Sequence, residues 1–223
     1  MNLHYYSTII FDCDGVLLDS NSIKTQAFED CSIKYGELAS RALVEYHQAN
    51  GGISRYKKFS HFIDSILPCL GIPLCNPSKE TELSQLLKEY SDFVLAALLS
   101  CPRSTFLESL RISTSQADWF VVSGGDQSEL RHIFNRRNLV KFFDGGIYGS
   151  PVTKVDILTN LIEEEKISKP ALYIGDSKYD FVAASHVGLD FVFVSGWTDV
   201  REWLQFCDSH SISHVPNLHH LLR

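Results

Sequence analysis

Hydrophobic positions along the chain fall into two regimes. The run Ser7-Thr8-Ile9-Ile10-Phe11 is β-branched and apolar, then stops abruptly at Asp12-Cys13-Asp14-Gly15, as a buried strand does when it delivers polar groups at its carboxyl end. From about Ser20 to Ser109 the period changes. Ile23, Ala27, Cys31 and Ile33 recur at helical spacing, and Phe59 to Leu67 and Leu83 to Leu99 read likewise, with breaks at Gly71-Ile72-Pro73 and Asn76-Pro77. No strand pattern interrupts this stretch, so it predicts a helical insertion with boundaries near 17 to 20 and 100 to 110. Beyond Gln116 strand-loop-helix units return. Trp119-Phe120-Val121-Val122 ends at Ser123-Gly124-Gly125 before a helix from about Asp126 to Asn138; Ala171-Leu172-Tyr173-Ile174 ends at Gly175-Asp176; Phe191-Val192-Phe193-Val194 ends at Ser195-Gly196. Such units predict an α/β fold with a parallel sheet covered on both faces and ligands beyond the carboxyl ends of the strands. Every polar cluster named here falls at such an end.

Composition narrows the function without naming it. At 223 residues and 44% hydrophobic content the chain can bury a substantial core. Acidic residues outnumber basic ones 27 to 20, and no lysine/arginine run is dense enough to follow a phosphate backbone, which argues against nucleic acid as a partner. Cys13, Cys31, Cys69, Cys75, Cys101 and Cys207 form no C-x-x-C pair, so reduced, mostly buried thiols are expected rather than a zinc site or disulfide framework. No stretch approaches the ~18 apolar residues of a membrane helix, and the amino terminus lacks a basic-then-apolar leader. The expectation is a cytoplasmic protein, monomeric by default. The nine histidines, His219-His220 included, show no ligand-type spacing and are expected at the surface or as caps; Trp197 is expected to pack near the site mouth.

Four clusters carry candidate chemistry: Asp12-x-Asp14-Gly15, Ser123-Gly124, Lys154, and Gly175-Asp176-Ser177-x-x-Asp180. Taken singly each has a plain alternative. Asp12 and Asp14 could shape a turn or open a calcium loop, although Val16, Leu17 and Leu18 stand where that loop needs further ligands. Ser123-Gly124-Gly125 could be a turn, Lys154 a solvated lysine, and Asp180 a helix-surface aspartate. As an ordered set after strand ends, the four resemble the motifs of the haloacid dehalogenase (HAD) superfamily over nearly the whole chain. That resemblance implies a Rossmann-like core from residues 1-18 and 105-223, a helical cap domain over 19-104, and magnesium-dependent phosphoryl transfer. Asp12 would be the nucleophile, and Asp14 the general acid and base. Ser123 and the Gly124 amide, with a helix start capped by Asp126, would donate to phosphoryl oxygens. Lys154 would offset negative charge at Asp12. Asp176 is a hard oxygen donor suited to Mg2+, joined by Asp12 and the Asp14 carbonyl, with Asp180 ligating or orienting the metal shell.

Asp14 also discriminates within the superfamily, pointing to phosphatase or phosphomutase chemistry. The insertion after the first motif resembles the cap of the phosphoglycolate phosphatase and β-phosphoglucomutase-like group. Its Asn50-Gly51-Gly52-Ile53-Ser54-Arg55-Tyr56-Lys57-Lys58 segment would display Arg55 and Lys58 toward substrate from one helix face. The expected activity is hydrolysis of a small phosphorylated metabolite, such as a sugar phosphate, through an aspartyl-phosphate. A phosphomutase uses the same residues and stays open as an alternative; a non-catalytic binding module would be expected to lose Asp12, Asp14, Lys154 or Asp176, and none is lost.

Overall fold

The computed structural model describes residues 2–222. Six parallel strands form one sheet in the order β3-β2-β1-β4-β5-β6. They are β1 (Thr8–Phe11), β2 (Asp118–Asp126), β3 (Gly146–Ser150), β4 (Ala171–Gly175), β5 (Asp190–Val194) and β6 (Ser213–Val215). All four residues of β1 are buried, since this central strand is covered on both faces and can carry only apolar or hydrogen-bonded side chains. The order reverses at β1. Its neighbours are β2 on one side and β4 on the other, so the chain loops after β1 and β4 diverge to opposite faces and leave a crevice at their carboxyl ends. Asp12 follows β1 and Asp176 follows β4, one on each side of that crevice.

Two strands lie outside the sequence expectation. β3, Gly146-Ile147-Tyr148-Gly149-Ser150, carries two glycines, and β6 has three residues with mostly exposed side chains. Both are sheet edges, where only one neighbour must be satisfied and apolar density falls.

Between β1 and β2 the described chain contains helices only: α1 (Asn21–Ser32), α2 (Glu37–Ala49), α3 (Arg55–His61), α4 (Leu67–Cys69), α5 (Lys79–Ser100) and α6 (Leu107–Ser113). Helix α3 begins four residues before the apolar period at Phe59, because Ser54 caps it by accepting from the Lys57 amide. It continues through a π-turn, Phe62–Ile66, into α4. The wider turn falls just ahead of Pro68, where a regular helix would lose a donor and meet the ring. Phe28 of α1, Phe59 of α3 and Tyr90 of α5 meet with centroids 4.7 to 5.8 Å apart, each contributing on the order of 2 kcal/mol by burial. This packing is continuous with the apolar face of the sheet through Val16, Leu17 and Leu18.

The remaining helices, α7 (Gln127–Arg136), α8 (Lys154–Glu163), α9 (Lys178–His186) and α10 (Trp203–His210), complete the covering layers. Three of them start at the crevice with a side-chain cap. Asp126 caps α7, Thr153 caps α8, and Ser177 caps α9. No described helix is long and apolar enough to cross a membrane. All six cysteines are free, four of them buried, while Cys69 and Cys75 are exposed.

Candidate active site

The abrupt end of β1 places the Asp12 carboxylate in the crevice, 3% exposed. Its Oδ1 accepts from the Cys13 amide at 2.7 Å and its Oδ2 lies 2.8 Å from Lys154 Nζ, so both oxygens are aimed by short bonds. Lys154 opens α8 and is 1% exposed; its Nζ also donates to Asp180 Oδ1 at 2.5 Å. Burial alone would lower this lysine, but Asp12 and Asp180 hold it well above its ordinary range. Burial, and then Asp180, push Asp12 up to about 7 against the pull of Lys154. Asp176 is raised well above the usual carboxylate range by burial and by Asp12 and Asp180.

Asp180 is not a surface residue. It is fully buried, with Oδ1 accepting from Lys154 and from the Tyr173 hydroxyl at 3.2 Å, and Oδ2 accepting from the Asp176 and Ser177 amides and the Ser177 hydroxyl. With Ser177 it forms a capping box at the start of α9. Its oxygens are thus taken up as a strut beneath Lys154 and the Asp176 backbone.

Asp14 sits on the cavity wall in a different environment. Ser20 Oγ donates to its Oδ1 at 2.6 Å and Lys24 Nζ to its Oδ2 at 2.5 Å. Burial would raise this carboxyl, yet Lys24 and the two hydrogen bonds outweigh it and hold Asp14 below its ordinary value. Gly15 follows with φ +72°, and a Cβ there would lie 2.0 Å from Asp176 Oδ2. Only glycine lets the β1 loop pass that close to the β4 loop.

One cavity is lined by Asp12, Asp14, Lys24, Arg55, Lys58 and Asp176, and also by His47, Tyr90, Gly124 and Asp199. The carboxyl ends of the interior strands and the helical insertion both contribute. Gly124 is where they nearly touch: a Cβ there would lie 2.3 Å from the Gly52 carbonyl oxygen. Ser123 is fully buried, and its hydroxyl accepts from the Gly125 amide at 3.1 Å; it does not line the cavity. Arg55 does, although its Nη1 donates to Glu129 at 3.0 Å and its guanidinium lies over the Tyr90 ring. Its Nε, buried, has no partner. Trp197 lies beside the cavity rather than in its wall, and its carbonyl accepts from Asn21 Nδ2.

The histidine expectation fails at His47, which is buried against Phe28 with its Nδ1 2.7 Å from Lys58 Nζ and its Nε2 3.1 Å from Thr25 Oγ1. Its isolation in the sequence hid it. Asn21, Lys24 and Thr198 are further site residues that the pattern did not single out. Asn21 Nδ2 donates to Asp176 Oδ2, and Thr198 Oγ1 to the Asp176 carbonyl. One signal was available for Lys24: it stands three and four positions before the buried Ala27 and Phe28, on the same face of α1.

The donor set has the character of a cation site. Carboxylate oxygens of Asp12, Asp176 and Asp180 lie within 4.8 Å of one another, all buried. Lys154 is the ammonium that reaches them, so the three carboxyls, when all are ionised, leave two negative charges to be offset, a deficit that the raised values of Asp12 and Asp176 reflect. A hard divalent ion fits that deficit, with Asp12 and Asp176 having oxygen capacity to spare and Asp180 having little.

The fold is thus a doubly wound α/β sheet with a buried, lysine-held aspartate at its switch point. The haloacid dehalogenase-like hydrolase family profile matches residues 9–194, and the chain belongs to that family. No curated protein matches the sequence significantly. Among solved structures, a predicted phosphatase from Clostridium acetobutylicum is 19% identical, with TM-score 0.71 over 97% of this chain and 96% of that one. A protein from Lactobacillus plantarum assigned as a phosphoglycolate phosphatase is 18% identical, with TM-score 0.70 over 97% and 98%. One from Thermotoga maritima assigned as a β-phosphoglucomutase is 18% identical, with TM-score 0.61 over 94% of each chain. At these identities the likeness is one of fold.

Proposed function

We propose that the protein is a magnesium-dependent phosphatase of small phosphorylated metabolites, and that residues 19-104 act as a cap over a core of 1-18 and 105-223. The observation that carries this reading is the Asp12 carboxylate, buried, fixed by Lys154 at 2.8 Å and by the Cys13 amide, in a cavity that also holds Asp14. Asp12 Oδ attacks phosphorus, the bond to the leaving oxygen breaks, and that oxygen takes a proton from Asp14. Water then attacks the aspartyl-phosphate, Asp14 accepts its proton, and phosphate leaves with the Asp12 carboxylate restored. The cycle starts with Asp14 protonated, and its bonds to Lys24 and Ser20 favour the ionised form that the first half leaves and the second half uses as base. Lys154 and the main-chain donors at Gly124 balance charge on the phosphoryl oxygens. Asp12, Asp176 and the Asp14 carbonyl would hold magnesium, which when bound supplies Lewis-acid neutralisation of those oxygens; Asp180 orients this shell.

Two measurements test the scheme. Asp14→Asn should slow hydrolysis by ~10²-fold or more, the usual scale for a general acid-base group, while aspartyl-phosphate accumulates. Rapid-quench labelling that finds unaltered dephosphorylation would refute the role. Treatment with chelator should reduce phosphate release by at least ~10-fold, restored by magnesium and not by calcium, whose larger, looser coordination shell lets Asp12 bind through both oxygens. Equal turnover in magnesium, calcium and chelator would remove the metal from the reading. Phosphate release and isomerised product should be followed together, because a mutase would yield the second.

A further inference from the structure

Charge in the cap half of the cavity does not cancel. Lys24 is matched by Asp14 at 2.5 Å and Arg55 by Glu129 at 3.0 Å. Lys58, 3% exposed, has no carboxylate within ion-pair distance among the described residues. Its ammonium donates instead to His47 Nδ1 at 2.7 Å and lies over the Phe28 ring at 5.5 Å. Because His47 accepts at Nδ1, its proton is on Nε2, donated to Thr25 Oγ1. The imidazole is therefore neutral and positions Lys58 without sharing its charge. Burial and Lys24 push Lys58 down to about 7 against the pull of Asp14 and of Asp199, which lines the same cavity without pairing with it, as expected for a cation that lacks a counter-ion in contact. Arg55 lines the same cavity, and its buried Nε is a donor with no acceptor. A buried ammonium and an idle guanidinium N–H beside a phosphoryl site are costly in the free protein unless a ligand satisfies them.

We propose that Lys58, set by His47, and the Arg55 Nε form a subsite for a carboxylate on the leaving group, so that the substrate is a phosphorylated hydroxy acid rather than a neutral sugar phosphate. One unmatched positive charge favours a carboxylate, with one negative charge, over a second phosphate, which would leave negative charge uncompensated. The proposal rests on the phosphatase reading for the position of the reacting phosphate, and its test separates the two.

Binding is measured by titration calorimetry on Asp12→Asn protein with magnesium, so that no turnover intervenes. The probes are 3-phosphoglycerate and glycerol 3-phosphate, which differ by a carboxylate in place of a hydroxymethyl, and propane-1,3-diol bisphosphate. The carboxylate should bind ~10- to 100-fold more tightly than glycerol 3-phosphate, the scale of a charge-assisted hydrogen bond. In an Asp12→Asn/Lys58→Met protein that ratio should collapse toward one, and melting should occur at or above the parent temperature, because methionine replaces a buried unpaired charge. Equal binding of the first two probes, binding of neither, a preference that survives Lys58→Met, or tightest binding of the bisphosphate would each overturn the proposal. Phosphate release from p-nitrophenyl phosphate by the wild-type protein reports on the phosphatase reading alone: its presence with no carboxylate preference sinks the subsite and spares the activity.

Discussion

Asp12→Asn protein should fold as the parent does and release phosphate at least ~10³-fold more slowly, since loss of a covalent nucleophile leaves only binding and electrostatic assistance. The replacement is nearly isosteric. Asparagine Oδ1 can still accept from the Cys13 amide or face Lys154, and Lys154 keeps Asp180 as its ion-pair partner. Burial and Asp180 make an ionised Asp12 unfavourable, so removal of its charge should leave the melting temperature unchanged or raised. Turnover and thermal melting measured on one preparation check both halves. Wild-type phosphate release from the variant would exclude the covalent mechanism; lost activity with a lowered melting temperature would mean that Asp12 serves the fold.

Lys154→Met should behave in the opposite way, losing stability together with activity. The lysine is 1% exposed and is the ammonium bonded to two buried carboxylates, Asp12 and Asp180. Removing one member of a buried charge cluster typically costs about 3 to 5 kcal/mol, because the remaining charges stay desolvated and unpaired. With the lysine gone, the folded-state value of Asp12, already raised by burial and Asp180, rises further above its unfolded value. A carboxyl raised in the folded state is most compatible with folding when protonated, so the penalty should shrink as pH falls from about 8 toward 5. Combining Lys154→Met with Asp180→Asn should recover part of the stability and none of the activity. Urea titrations at the two pH values decide the matter: a single variant as stable as the parent, or a penalty that grows on acidification, would show that this cluster does not carry the charge balance described.

Much of this was legible in the sequence, and the reasons are local. β1, β2, β4 and β5 announce themselves as dense apolar runs because they are buried strands, while β3 and β6 do not because a sheet edge needs neither density nor length. The insertion's helices are carried by their 3.6-residue period, although the start of α3 required the Ser54 cap rather than an apolar position to mark it. Asp12, Asp14, Ser123 and Asp176 stand out because each follows the abrupt end of an apolar run, and chain order alone links them to Lys154.

What the sequence determined by itself, then, is the alternation that makes a parallel α/β sheet, the helical insertion after the first strand, and the residue types delivered to the strand ends. These follow from interactions between residues a few positions apart. Only the tertiary structure decided the partners. Lys24 meets Asp14, Asn21 and Thr198 hold Asp176 from elements 155 and 22 residues away, and Asp180, outwardly a surface aspartate, is sealed under Lys154. It also decided that Arg55 is matched by Glu129 while Lys58 is not. Charge compensation in a desolvated cavity depends on distances across the fold, and no periodicity along one chain segment encodes them.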